Sequence, residues 1–237
     1  MKIFNSKNIL YFLMMAFGVG AAHAQSSPTL CGELSNGYGP FDYRKYQGAG
    51  DIVTGAHFTP IVKSLRAGKT AATAGPDIAY TLRAIPNYPE ALVAVIRLGE
   101  KEKTDKPIGM PHTVECWLER AVRFQPDDSV ARMIFATYLN NRQRKAEARV
   151  QLNIVKEMAE DNPFTHFNLG MIYADLGDHD DALEQAHLAL ELGHPSIGLR
   201  ERLRAVGKWR DPVDLSAIAD AATAVEAAAS AASSNSK

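Results

Sequence analysis

Hydrophobic positions recur at helical spacing along most of the chain, from residue 77 to residue 210. Two windows, one beginning at Ser129 and the other at Pro163, lie in register at a shift of 34 positions. Bulky apolar residues recur at positions that face a core, and small residues recur where two helices must touch closely. The aligned pairs are Phe135 with Leu169, Leu139 with Tyr173, Ala136 with Gly170, Ala148 with Ala182, and Val155 with Ala189. A self-similar period of this size predicts a stacked, all-α repeat structure.

The helical pattern continues on both sides of these windows. Residues 89–103 predict the first helix of an earlier repeat and residues 115–128 its second helix, with a longer turn between them. Residues 77–89 predict the second helix of a still weaker unit. Residues 197–209 have apolar side chains at helical spacing opposite a charged face, which is typical of a terminal capping helix. At least three stacked units are usually needed to bury a continuous core, so the weak units are expected to be structurally necessary.

The window from Pro163 resembles a tetratricopeptide repeat. The family pattern is Leu-Gly, then Tyr, Ala, Ala and Pro at fixed offsets, although here the proline falls one position late and His166 stands where the family usually has Trp. The matching residues are Leu169, Gly170, Tyr173, Ala182, Ala189 and Pro195. The resemblance implies a helical-hairpin solenoid of about three repeats over 77–210, with an irregular N-terminal cap segment and a C-terminal capping helix.

The two ends of the chain read differently from the repeats. Residues 25–76 are rich in turn-forming glycines and in aromatic residues without helical spacing, although Pro60 favours one short helix. This segment is expected to act as a clasp over the open apolar face of the first repeat. Residues 211–237 are Ala-rich and of low complexity, and they are expected to form a frayed helix and a disordered tail.

Residues 1–24 have the pattern of a cleaved secretory signal. Lys2 and Lys7 precede an apolar run from Ile9 to Ala22, and a small-x-small sequence ends at Ala24. A membrane anchor needs about 20 apolar residues, so this run is too short to span, and no cysteine is placed for lipidation. We expect an exported protein without a membrane span after cleavage, in the periplasm of a Gram-negative bacterium or secreted.

The chain has two cysteines, Cys31 and Cys116, which are far apart in the sequence. In an oxidising compartment two cysteines are expected to form a disulfide bond. Two separate buried thiols are an alternative. A metal site formed with His112 is a third possibility, but it would be one ligand short of a closed structural zinc site.

Charge and motifs argue against several functions. The signal segment contains two lysines and no acid, so its removal leaves 24 of the 26 basic side chains and all 27 acidic ones, which gives no basic face for nucleic acid. No phosphate-binding loop, metalloprotease motif or nucleophile elbow is present, so neither an enzyme nor a cofactor is expected. The alternative is an envelope hydrolase or metal-dependent enzyme that uses His57, which is flanked by Asp51 and Thr59.

The tetratricopeptide resemblance implies a concave groove lined by the first helix of each repeat, which would hold a peptide or partner protein from the envelope. The family's groove positions fall on Val130, Met133, Thr137, Asn140, Phe164, Phe167, Met171 and Ala174. The alternative is that the two phenylalanines only pack against neighbouring helices. Residues 31–44 and several later stretches also resemble a poorly characterised group of exported bacterial tetratricopeptide proteins, which implies no reaction. Together these observations predict a scaffolding or holding module.

Overall fold

The computed structural model describes residues 31–45, 49–212 and 223, so the predicted signal sequence and almost all of the predicted tail lie outside the described residues. Within the described part the regular structure is helical only, which confirms the all-α prediction. Across residues 49–212 the ten helices are α1 (Ala49–His57), α2 (Pro60–Lys63), α3 (Gly75–Ala84), α4 (Pro89–Glu102), α5 (Val114–Phe124), α6 (Ser129–Asn141), α7 (Lys145–Met158), α8 (Pro163–Leu176), α9 (His179–Glu191) and α10 (Ile197–Ala205). In this part of the chain, no helix combines the length and the apolar character that crossing a membrane requires.

The beginnings of α6 and α8 explain the period in the sequence. The Asp128 side chain accepts hydrogen bonds from the first free N–H groups of α6, and Asn162, 34 positions later, does the same for α8. Such caps satisfy backbone donors that have no partner within the helix. The second helices α7 and α9 begin at Lys145 and His179, which are separated by the same interval. The period therefore corresponds to a repeated pair of helices.

The helices pack in a regular order. Each of the pairs α4 and α5, α6 and α7, and α8 and α9 is in contact, and α4, α6, α8 and α10 also contact one another in succession. We call α4, α6 and α8 the first helices. Gly170 permits the close approach of α8 and α10, because a Cβ atom there would lie 2.4 Å from Cδ2 of Leu199. Ala136, Ala148, Ala182 and Ala189 are fully buried, as expected for small residues at helix contacts.

The successive helices form a row, and α1 and α2 cover its apolar end at α3 and α4. Phe58, Val62 and Leu65 belong to the main core, together with residues of α3 and α4. The short helix α2 was predicted from Pro60, but α1 was not, because its sequence AGDIVTGAH contains two glycines and β-branched residues, which favour helix weakly. Val53 is buried against Ala84 and Ile85, so tertiary packing stabilises α1 despite its local sequence.

Residues 31–45, here called the strap, contact α5 at their beginning and the end of α3 further along, where the Phe41 N–H donates to the Ala84 carbonyl oxygen. The predicted disulfide bond joins Cys31 to Cys116 on α5. The buried Arg120 of α5 donates hydrogen bonds to the backbone carbonyls of Cys31 at 3.0 Å and Glu33 at 2.7 Å. The strap therefore uses its backbone oxygens, as well as its cysteine, to hold α5.

A buried amide joins the other end of the strap to the helices. The Asn87 side chain is fully buried, and its Nδ2 donates to Asp42 of the strap and to Asp128, the cap of α6, both at 2.8 Å. Arg44 pairs with Asp42 at 2.7 Å and with Asp127 at 3.0 Å. Burial alone would raise the pKa of Asp42, but the hydrogen bonds from Arg44 and Asn87 outweigh it and lower this pKa to about 2.

Candidate functional site

An apolar groove of about 440 Å³ crosses the three first helices. Its lining residues come from α4, α6 and α8 at helical spacing, so each helix contributes one face to a shared surface. Seven are aliphatic or methionine side chains and four are polar. They are Val93, Ile96, Arg97 and Glu100 of α4, Val130, Met133, Ile134 and Thr137 of α6, and Asn168, Met171 and Ile172 of α8.

The groove remains open to solvent although its side chains are apolar. Val93 is 42% exposed and Val130 is 39% exposed, whereas Met133 is only 8% exposed and forms the floor. Thr137 donates its hydroxyl to the backbone carbonyl of Met133 at 2.9 Å, so this hydroxyl is satisfied within α6. Contiguous exposed apolar surface is uncommon on monomeric proteins and often marks an interaction site.

Four of the eight residues predicted for a groove lie together in this one, namely Val130, Met133, Thr137 and Met171. The wall formed by α4 is not among the predicted groove positions. The same family offsets, counted from Pro89, fall on Glu90, Val93, Arg97 and Glu100. Three of those four residues line the groove, so the sequence contained a signal for this wall.

The other four predicted residues lie outside the groove. Phe164 is exposed near the start of α8 and its ring lies 5.3 Å from that of His194. The Phe167 ring is 4.5 Å from the same histidine and is half-buried against the core. Ala174 is buried, and the side-chain amide of Asn140 lies 3.5 Å from the Asp175 carbonyl oxygen.

A second depression of about 320 Å³, here called the side depression, adjoins the groove. The two share Val93 and Arg97, and the side depression continues past Pro89 to Phe58 and Lys63 near α2. Lys63 forms an ion pair with Glu90 at 2.5 Å, and this hydrogen bond raises the pKa of Lys63. In the part of the chain that the structure describes, Arg97 has no corresponding ion pair.

His57, the candidate for an enzymatic site, lies beside a carboxylate but not in a deep pocket. Its Nδ1 is 2.9 Å from Oδ1 of Asp77, and its ring stacks on Tyr80 with 3.8 Å between ring centroids. The adjoining depression has a volume of about 270 Å³ and is otherwise lined by Tyr38, Ile52, Val53, Ala56 and Tyr80. Among these lining residues there is no serine, cysteine or second carboxylate to complete a catalytic group.

Asp77 has a structural role in the turn before α3. This buried carboxylate accepts hydrogen bonds from the backbone N–H groups of Lys69 and Thr70, at 2.6 and 2.9 Å, and from the Thr70 hydroxyl. Burial would raise the pKa of Asp77, but the hydrogen bonds from Thr70, His57 and Lys69 lower it overall. Because these hydrogen bonds favour the ionised form of Asp77, its carboxyl group is a poor proton donor. His57 is one of the hydrogen-bond partners of this carboxylate.

The proposed metal ligands are otherwise engaged. Both cysteines are in the disulfide bond, and His112 packs edge-on against Trp117 with 5.0 Å between ring centroids. Over residues 31–45 and 49–212, no group of three or more His, Cys, Asp or Glu side chains is placed to hold a metal ion.

In comparisons with known proteins, no family model, no curated protein and no solved structure matches this chain. The geometry of the groove is therefore the basis on which a function can be proposed. Its surface can bury apolar side chains and can form one ion pair through Arg97, but it presents no acid–base or nucleophilic pair.

Proposed function

We propose that this protein is an exported binding module that holds a peptide segment of another envelope protein in the groove formed by α4, α6 and α8. The observation that carries the proposal is the groove itself, an open apolar surface built from three successive first helices. A solvent-exposed apolar surface of this kind gains free energy when a partner covers it, at roughly 25 cal/mol for each Å² of apolar area removed from water.

We further propose that α4 to α9 form a solenoid of three tetratricopeptide-like repeats, closed by α10. The equal spacing of the first helices α6 and α8 and of the second helices α7 and α9 supports this assignment, as do the successive contacts of α4, α6, α8 and α10. The longer interval between α4 and α6 comes from the turn at residues 103–113, which makes the first repeat irregular without moving α4 out of the row.

The disulfide bond supports export, because such bonds persist mainly in oxidising compartments. We assign the protein a scaffolding or holding role rather than catalysis. The groove has no pair of titratable groups suited to acid–base chemistry, and the His57–Asp77 pair is accounted for by the structure of the turn before α3.

A matched pair of valine variants tests the proposal. Val130→Glu places a charge on the groove wall, whereas Val150→Glu makes the same change on α7, where Val150 is 56% exposed and lines no part of the groove. Both positions are open to solvent, so both variants should fold normally. Peptides selected from a displayed random library against the parent protein would be synthesised and their dissociation constants measured by fluorescence anisotropy.

We expect Val130→Glu to weaken binding by about tenfold or more, because a bound apolar segment would desolvate the new carboxylate. The Val150→Glu variant should bind as the parent does. Equal binding by both variants would place the interaction elsewhere, and a selection that yields no binding peptide would refute the proposed function.

A further inference from the structure

We infer that the segment held in the groove carries an acidic side chain that pairs with Arg97, next to apolar side chains that cover the first helices. This inference rests on the proposed function and specifies the chemistry of the ligand. It follows from the position of Arg97, from the pairing of the other cation that lines the side depression, and from the continuity of the two depressions.

Arg97 lies at the junction of the two depressions and lines both of them. It is exposed, and within the described residues its guanidinium group is not in an ion pair. The other cation that lines the two depressions, Lys63, is already paired with Glu90. Arg97 is therefore the cation that a ligand in the groove would meet.

Occupation of the groove would remove water from this guanidinium group. A cation that loses water without gaining a partner costs free energy, whereas a carboxylate can form two parallel hydrogen bonds with arginine. A segment with an acid at this point is consequently favoured over a neutral segment, and a segment with a base is disfavoured by repulsion.

The groove also limits how acidic the ligand can be. Glu100 lies three residues after Arg97 on α4 and lines the groove but not the side depression. A second carboxylate placed over the groove would be repelled by Glu100. The charges therefore select a mainly apolar segment with one acidic residue rather than an acid-rich segment.

The shape of the surface favours an elongated ligand. The side depression begins near Phe58 and Lys63, shares Val93 and Arg97 with the groove, and the groove continues to α8. A ligand that fills both must extend over residues from the end of α1 to α8. A peptide segment meets this requirement, and its acidic residue would lie where the two depressions join.

Three pools of fluorescein-labelled heptapeptides would test the inference. The central residue is Glu, Gln or Lys, and every other position is the same mixture of Leu, Val, Ala and Ser. With the parent protein, we expect the Glu pool to bind about threefold to tenfold more tightly than the Gln pool, and the Lys pool to bind most weakly. High salt should reduce the differences in affinity among the three pools, because the ion pair between the peptide carboxylate and Arg97 would be partly exposed to solvent.

Variants of the two charged residues identify the source of the preference. Arg97→Gln should remove the difference between the Glu and Gln pools, while Glu100→Gln should strengthen binding of the Glu pool. Arg204→Gln is the control, because Arg204 is an exposed arginine of α10 that lines neither depression.

The outcomes separate the two proposals. Equal binding of all three pools to the parent would overturn the acidic-ligand inference and leave groove binding intact. A Glu preference that persists in Arg97→Gln would also overturn it, because the carboxylate would then pair elsewhere. If no pool binds the parent, both this inference and the proposed function are wrong.

Discussion

The close contact between α8 and α10 at Gly170 gives the most quantitative prediction for the fold. In Gly170→Ala, the new Cβ would lie 2.4 Å from Cδ2 of Leu199 and 3.2 Å from Cβ of Gln185. Leu199 and Gln185 are fully buried, so neither side chain can move aside without disturbing the core. Overpacking of this kind costs about 1–3 kcal/mol, whereas Ala in place of Gly within a helix gains about 1 kcal/mol. The net effect should be a loss of up to about 2 kcal/mol.

Gly198 provides the matched control, because it is also a helical glycine but has open space around its Cα. Apart from its chain neighbours and the backbone of its own helix, no atom lies within 4 Å of a Cβ built at this position. Gly198→Ala should therefore stabilise the protein by up to about 1 kcal/mol, since only helix propensity changes. The two alanine substitutions are expected to change stability in opposite directions.

Equilibrium unfolding in guanidinium chloride, with the disulfide bond intact, would measure these effects. A double-mutant cycle with Leu199→Ala adds a specific test. Leu199→Ala alone should cost about 2–5 kcal/mol by leaving a cavity, and adding Gly170→Ala should then be neutral or stabilising, because the clashing methyl group is gone. If Gly170→Ala stabilises the parent as much as Gly198→Ala does, α8 and α10 do not approach closely and the packing described above is wrong.

Two further predictions concern the strap. Replacing both Cys31 and Cys116 by Ser removes a tether between two distant parts of the chain, which should lower stability by up to about 4–5 kcal/mol; an unchanged guanidinium midpoint would contradict this. Because the pKa of Asp42 is lowered to about 2 from 3.8, its contribution of about 2 kcal/mol is present above pH ~4 and is lost as the pH falls through ~2. Asp42→Asn should flatten that part of the stability–pH curve, and an unaltered curve would argue against the pairing.

Much of the helical body could be predicted because its signals are local. The caps Asp128 and Asn162 and the prolines at the starts of α4 and α8 are visible in the sequence, and so is the recurrence of small residues. Helix α1 could not be predicted in this way. Its stability comes from the burial of Val53 against Ala84 and Ile85, which are distant in the sequence, while its own glycines oppose a helix.

The route of the strap could not be predicted for a related reason. Its partners are a buried arginine that binds carbonyl oxygens and a buried asparagine that joins two aspartates, and neither arrangement leaves a periodic pattern. The groove could be predicted in part, unlike the strap and less completely than the helical body. Helical offsets placed four of the eight predicted residues on this groove, but the position of His194 beside Phe164 and Phe167 depends on the turn between α9 and α10.

The strap also makes the two ends of the helical row unequal in their resistance to partial opening. A row in which each helix contacts mainly its neighbours can fray from either end. At one end, α3 and α4 lie within the covalent ring that Cys31 closes with Cys116 of α5, and Asn87 links that ring to the start of α6. The described residues provide no such ring for α10. Amide hydrogens of α10 should therefore exchange with solvent before those of α5. Transient opening of α10 would expose the face of α8 at Gly170, while the wall formed by α4 stays in place.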